Sequence, residues 1–339
     1  MVLLTGATGL IGSYILYDLL QAGEKVRAIK RPETDFEGLN NTFTFLNKLR
    51  NQQLSYNSAE WVLGDVSDYQ SLSDAFFGVS FVYHAAGYVS FCKKDRQKLM
   101  EINVKGTANV VNAALANSIK KIAYVSSVAA IGKNFENQFS NEETKWSRED
   151  SSGYSESKYL AELEVWRGVA EGLPAVIVNP SVVLGVNNWN KSSGKLFSTV
   201  YSGLNYYSIG QTGFVNAEDV SKMLITLLNS NIENERFIVS SENLSYKEVF
   251  MQIAQSLEKN PPRKELTKKL AAVAWRLDWL RSIITKREQV FTKETAKSSF
   301  NKSAYENKKS IKHTNLNYLN ISNTIQQIGK FFLEKQNSK

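Results

Sequence analysis

"TGATGLIG", residues 5–12, follows the apolar run "MVLL" and leads into "GSYILYDLLQAG" (12–23). The reading of this octet decides the fold. Gly6 permits a tight turn, Gly9 lets backbone approach a pyrophosphate, and Gly12 lets the coming helix pack closely on the strand. A glycine triplet alone is weak evidence. Placed between a strand and a helix it becomes a phosphate-binding turn, because the first helical turn offers free N–H groups and a partial positive charge. Thr8, Leu10 and Ile11 belong to the same turn and are expected to touch the cofactor with the three glycines.

The same alternation continues outward. "KVRAIK" (25–30), "SAEWVLGD" (58–65), "VSFVYHAAG" (79–87), "KKIAYVSS" (120–127) and "LPAVIVNPS" (173–181) read as strands. "LSDAFFG" (72–78), "NVKGTANVVNAALANS" (103–118) and a stretch starting near Gly153 read as helices between them. Apolar strands alternating with helices predict an α/β chain with a Rossmann-type, doubly wound parallel sheet. From Gly185 to Gly213 no strand pattern is strong, "FVNAEDVSKMLITLLNS" (214–230) resumes strand-then-helix, and "RFIVSS" (236–241) reads as a further sheet strand. The expected organisation is a nucleotide-binding domain of residues 1–180 plus 213–241. A smaller, mostly helical substrate-binding cap then takes 181–212 plus 242–339.

Composition narrows the setting. The 339 residues are 42% hydrophobic with no apolar run near the roughly 20 residues a membrane span needs. The opening is not that of a signal peptide, and the single cysteine, Cys92, suits a reducing compartment, so a cytoplasmic location is expected. Two histidines and one cysteine make a zinc site improbable, and no metal is expected. Residues 259–339 hold 18 Lys/Arg against 6 Asp/Glu, whereas residues 1–258 hold 23 against 27. Such a basic third can attract nucleic acid or an anionic membrane. Without a nucleic-acid motif the expectation is solvated helix faces and no nucleic-acid partner. "LTKKLAAVAWRLDWLRSII" (266–284) carries a stripe at Leu266, Leu270, Ala274, Leu277, Leu280 and Ile284. The stripe is expected to pack on the domain, with peripheral membrane contact through 266–285 as the alternative.

The end of the second strand bears on the cofactor. An acid there binds ribose hydroxyls in folds that prefer NAD, but here Lys30 and Arg31 occupy the place. Two cations suit a 2′-phosphate, so NADP(H) is favoured over NAD(H). Asp65 and Val66 follow the third strand near the adenine position, with an ordinary turn as the other reading of Asp65. Ala85, Ala86 and Gly87 end the fourth strand with side chains small enough for a dinucleotide to pass, and His84 is expected to pack beneath it.

Ligands of such sheets bind at the carboxyl ends of strands. Ser126 and Ser127 end one, and Tyr154 starts a helix with Lys158 one turn further on. A free tyrosine, with a pKa of about 10, needs help to exchange protons at neutral pH, and a nearby ammonium supplies it. Lysine can also hold ribose hydroxyls, and a serine hydroxyl can hold the substrate oxygen as its charge changes.

In order along the chain, these motifs resemble the extended short-chain dehydrogenase/reductases. These are the NAD-dependent epimerase/dehydratase type, and the nearest branches are dihydroflavonol reductase-like and 3β-hydroxysteroid dehydrogenase-like. The matching stretches are "TGATGLIG", "NVKGTANV" (103–110), "SSVAAIG" (126–132), "YSESK" (154–158), "NPSVVLG" (179–185) and "FVNAEDV" (214–220), the last as a return to the sheet. The resemblance covers Met1 to about Ser241. It implies that Tyr154 is the general acid/base, Lys158 its electrostatic partner and ribose ligand, and Ser127 rather than Ser126 the hydroxyl donor. Asn103 would join a proton relay, and Pro180, Ser181 and Val182 would meet the nicotinamide end. A polar loop, 133–150, precedes Tyr154 and reads either as a substrate border or as plain surface.

The reaction expected is reduction of a ketone or aldehyde to an alcohol, or its reverse, on a small molecule. A nucleotide-sugar epimerase with retained NAD is the alternative. Dehydratases of the family carry an acid pair after the catalytic hydroxyl, where this chain has Val128 and Ala129. A non-catalytic NADP-binding sensor or scaffold is the third reading. Trp189, Phe197, Tyr201, Tyr206 and Tyr207 read either as pocket walls or as packing, and a homodimer is a weak expectation.

Overall fold

The computed structural model describes residues 1–134, 139–149, 151–285, 289 and 291–337. Residues 135–138 and 150 of the polar loop before Tyr154 lie outside the described residues. Strand β1 (Val2–Thr5), buried throughout, passes through the glycine turn into α1 (Leu10–Gln21). Next come β2 (Val26–Lys30), α2 (Glu37–Arg50), β3 (Glu60–Leu63), α3 (Tyr69–Phe76) and β4 (Phe81–His84). The following helix has three parts: α4 (Arg96–Leu99), a π-helical stretch (Met100–Lys105) and α5 (Gly106–Ala116). Then follow β5 (Lys121–Val125), α6 (Gly153–Ala170) and β6 (Ala175–Pro180). The chain leaves the sheet for β7 (Val182–Leu184), α7 (Gly194–Tyr201), β8 (Tyr206–Tyr207), β9 (Gln211–Asn216) and α8 (Ala217–Leu228). It returns as β10 (Glu235–Val239) and runs on through β11 (Glu242–Ser245), α9 (Tyr246–Ser256) and β12 (Lys264–Glu265). Helices α10 (Lys268–Thr285), α11 (Lys293–Ser298), α12 (Lys308–Thr314) and α13 (Ile321–Asn337) complete it.

Seven strands form one sheet in the order β3-β2-β1-β4-β5-β6-β10, every neighbouring pair parallel. Parallel neighbours require crossover connections, and the helices that make them cover both faces. One face buries Tyr14, Ile15, Val220 and Leu224 against the sheet, the other Val110, Val111, Ala161 and Val165. Strand order reverses between β1 and β4, which opens a crevice at their carboxyl ends, beside Thr5 and His84. The doubly wound α/β fold is as expected.

Three elements depart from the sequence reading, and in one further stretch the structure chooses between two open readings. Helix α2 is absent from the sequence reading because its first half holds Asn40, Asn41 and Thr42, yet Leu39, Phe43 and Leu46 bury at helical spacing. "FVNAEDV" does not return to the main sheet. As β9 and the start of α8 it pairs parallel with β7 and antiparallel with β11, because β10 already occupies the edge of β6. Helix α10 does not pack its stripe on the domain. Ala271 is its one buried residue, while Leu270, Leu277, Leu280 and Ile284 are exposed, because the inward face is instead set by Ala271, Ala274, Trp275 and Asp278. In the stretch 185–213, Trp189, Phe197 and Tyr201 are packing, with Trp189 4.8 Å and Tyr201 5.2 Å from the Phe332 ring.

Candidate active site

The crevice begins at the glycine turn. Gly6 has φ +71°, and a Cβ there would lie 2.5 Å from the Ala86 amide nitrogen, so only glycine lets β1 and β4 end side by side. At Gly12 a Cβ would sit 2.1 Å from the Gly6 carbonyl oxygen, which is the close strand–helix approach the spacing predicted. Gly9 differs, since its Cβ would meet nothing nearer than 3.3 Å. It caps α1 without a side-chain bond, leaving the first-turn amides of Leu10 and Ile11 to an incoming ligand. Across the crevice the Ala85 and Ala86 amides bond Thr5, and Gly87 is exposed. This is an open backbone cradle with a helix N-terminus at its floor.

At its far end Asp65 Oδ1 accepts both the amide and the hydroxyl of Ser67, a tight turn that leaves Oδ2 without a partner among the described residues. The Val66 carbonyl is held by Asn109. Asp65 and Ile102 share an open depression of about 390 Å³. Past β2, the Lys30 ammonium lies 5.5 Å from the Phe36 ring, and the half-exposed Arg31 guanidinium stands 3.4 Å from Glu33.

The other end brings together Ser127, Tyr154 and Lys158, the residues expected to exchange protons. Ser126 is turned inward onto Glu162 at 2.5 Å, whereas Ser127 stays half-buried and faces the Tyr154 phenol. Burial raises the Tyr154 pKa, and the Ser127 hydroxyl pulls it partly back, so the phenol holds its proton at neutral pH. Phe91 sets its ring edge against Tyr154 at 5.7 Å. Pro180 ends β6, Val182 begins β7, and the buried Ser181 hydroxyl between them has no partner among the described residues.

Lys158 is buried, and desolvation draws its pKa down to about 7, with Glu162 opposing. Its Nζ donates to the Tyr124 hydroxyl and the Val125 carbonyl, both at 2.9 Å. Behind it, His84 bonds Thr5 at 2.7 Å and Thr107 at 3.0 Å, and burial keeps its pKa near 3. His84 is therefore a neutral packing residue under the crevice. Asn103 lies in the π-helical stretch and clamps the β4 exit: Oδ1 accepts from the Tyr88 amide, and Nδ2 donates to the Tyr88 carbonyl and to Ser157. Two of these bonds fix the Tyr88 backbone, and the third holds Ser157, whose hydroxyl donates to the Tyr154 carbonyl. Tyr124, Thr107, Ser157 and Glu162 were not singled out in the sequence, because their partners come from separate strands and helices.

An orphaned hydroxyl at one end, an open carboxylate oxygen at the other and a glycine cradle between them fit an extended dinucleotide.

Comparison with known proteins gives the same outline. A model of the NAD dependent epimerase/dehydratase family matches residues 2–239. Sterol demethylase protein B of Methylococcus capsulatus is 27% identical over 270 residues, covering 79% of this chain and 78% of that protein. A Synechocystis sp. protein, provisionally named dihydroflavonol 4-reductase, is 29% identical over 265 residues, 74% of this chain and 70% of its own. The crystal structure of gox2253 superposes with a TM-score of 0.81 at 27% identity, covering 99% of this chain and 98% of that one.

Proposed function

The chain belongs to the NAD-dependent epimerase/dehydratase family, and from that membership we propose that it is an NADPH-dependent carbonyl reductase working through Ser127, Tyr154 and Lys158. It is an NAD(P)-dependent enzyme of the extended short-chain dehydrogenase/reductase type. The observation that carries the reading is the Tyr154 phenol facing the Ser127 hydroxyl, with the buried Lys158 one turn further along α6.

A bound nicotinamide would supply hydride to the carbonyl carbon. The substrate oxygen would lie between Ser127 and Tyr154, with the Ser127 hydroxyl donating a hydrogen bond as negative charge grows. Tyr154 then gives its proton to that oxygen and yields the alcohol. Lys158, held by Tyr124 and the Val125 carbonyl, offers its ammonium to the tyrosinate and to ribose hydroxyls. Asn103 acts as a positioning residue by fixing the backbone of Tyr88 beside α6. Reductase-type relatives support the choice, among them the protein named dihydroflavonol 4-reductase. For the phosphate end, among the described residues the Arg31 guanidinium is engaged only by an exposed pair with Glu33, which is weak enough to be given up to a 2′-phosphate.

Incubating the purified protein with NADPH and a panel of aromatic and aliphatic ketones and aldehydes tests the reading. Net oxidation of NADPH with one alcohol formed per cofactor is the expected result. Interconversion of a nucleotide sugar without net cofactor consumption would assign the site to epimerisation instead.

A further inference from the structure

Helix α10 breaks the pattern of every other long amphipathic helix described. Helix α13 buries Ile325, Ile328, Phe331 and Phe332. On α10 the apolar stripe Leu270, Val273, Leu277, Leu280 and Ile284 faces outward, with Leu277 62% and Ile284 72% exposed. Its steps of three and four residues make one continuous face, while Trp279, also exposed, projects from a different side of the helix. What ties the helix down lies on the opposite side. Asp278 Oδ2 accepts the Phe291 amide at 2.8 Å, and Gln289 donates to the Trp275 carbonyl.

The charges around the stripe are of one sign. Lys268 and Lys269 are exposed at its start, and Arg276 and Arg281 are exposed along it. The helix has a single acid, Asp278, turned inward to Phe291 and paired with Arg281. A leucine, valine and isoleucine face flanked by Lys269, Arg276 and Arg281, with the one carboxylate of the helix turned to the other side, fits the interface of an anionic bilayer. A second copy fits it poorly, because the same cations would meet with no acid on the stripe to offset them. No helix among the described residues is long and apolar enough to cross a membrane, so contact would be along the surface. We propose that α10 docks this protein on anionic lipid surfaces by its outward stripe and flanking cations.

Flotation of the full chain with vesicles tests this. The lipids are phosphatidylcholine alone, or phosphatidylcholine mixed equally with phosphatidylglycerol. The protein is expected to float with the anionic vesicles, with a bound fraction about tenfold or more above neutral ones and reduced by high salt. Leu277→Glu combined with Ile284→Glu should abolish flotation. Both side chains are mostly exposed, so the melting temperature should stay unchanged. Lys268→Glu with Lys269→Glu should weaken binding to anionic vesicles. Failure of the wild type to float with anionic vesicles, or flotation unchanged in the Leu277/Ile284 variant, would overturn the proposal. So would a wild-type dimer in sedimentation that this variant converts to monomer, since the stripe would then belong to a second copy.

Discussion

Tyr154→Phe should lower kcat by about a thousandfold or more while changing cofactor affinity by less than about threefold. The substitution removes only the hydroxyl. The ring remains, and with it the edge contact to Phe91 at 5.7 Å, so the wall of the site keeps its shape. On the proposed mechanism, what is lost is the proton that the carbonyl oxygen would need as hydride arrives. Ser127 is a poor substitute, because its hydroxyl caps the short turn at Val128 by accepting the Ala129 amide and has a far higher intrinsic pKa than a phenol. Lys158 has two of its three ammonium protons on Tyr124 and the Val125 carbonyl, and the role proposed for it is electrostatic, not delivery of that proton. Steady-state kinetics together with a cofactor titration checks the split between kcat and binding. Substantial turnover in the variant would take Tyr154 out of the mechanism.

The glycine turn yields the second large effect, through a contrast between two neighbours. Gly12→Ala is expected to destabilise the protein by about 3 kcal/mol or more, because the new Cβ would lie 2.1 Å from a backbone oxygen that has nowhere to go. Relief requires moving α1 off β1, which also spoils the cradle. Gly9→Ala should cost far less, about 1 kcal/mol, since φ is −75° and the Gly6 carbonyl oxygen, 3.3 Å from the new Cβ, has to shift by only a few tenths of an ångström. Its methyl group would instead stand where a pyrophosphate must approach backbone, so cofactor affinity should fall about tenfold or more. Thermal unfolding and cofactor titration of both variants separate the two roles. Equal destabilisation would mean that Gly9 is as structural as Gly12.

Much of this was legible along the chain because the decisive features are local. The turn at Gly6, Gly9 and Gly12, the buried strands and the helical step from Tyr154 to Lys158 are each contained in a few consecutive residues. What could not be read depends on distant partners. Nothing in "AYVSS" (123–127) says that Tyr124 will receive the Lys158 ammonium from α6, or that Ser126 will turn onto Glu162. The stripe of α10 shows the other limit. Periodicity reveals that an apolar face exists, but only the packing of Ala271 and the Asp278–Phe291 bond decide that it points outward. Strand β9 failed for a related reason. Its sequence announces a strand, while its sheet is chosen by which edge is still open.

The most direct test of the account needs no substrate. After any co-purifying nucleotide is identified and removed, the affinity of the protein for NADPH and for NADH is measured by titration, alongside Arg31→Ala. NADPH is expected to bind the wild type about tenfold or more tightly than NADH, and the variant should lose most of that margin by weakening NADPH alone. Equal affinities in the wild type, or NAD that cannot be exchanged out, would contradict an NADPH-dependent reductase.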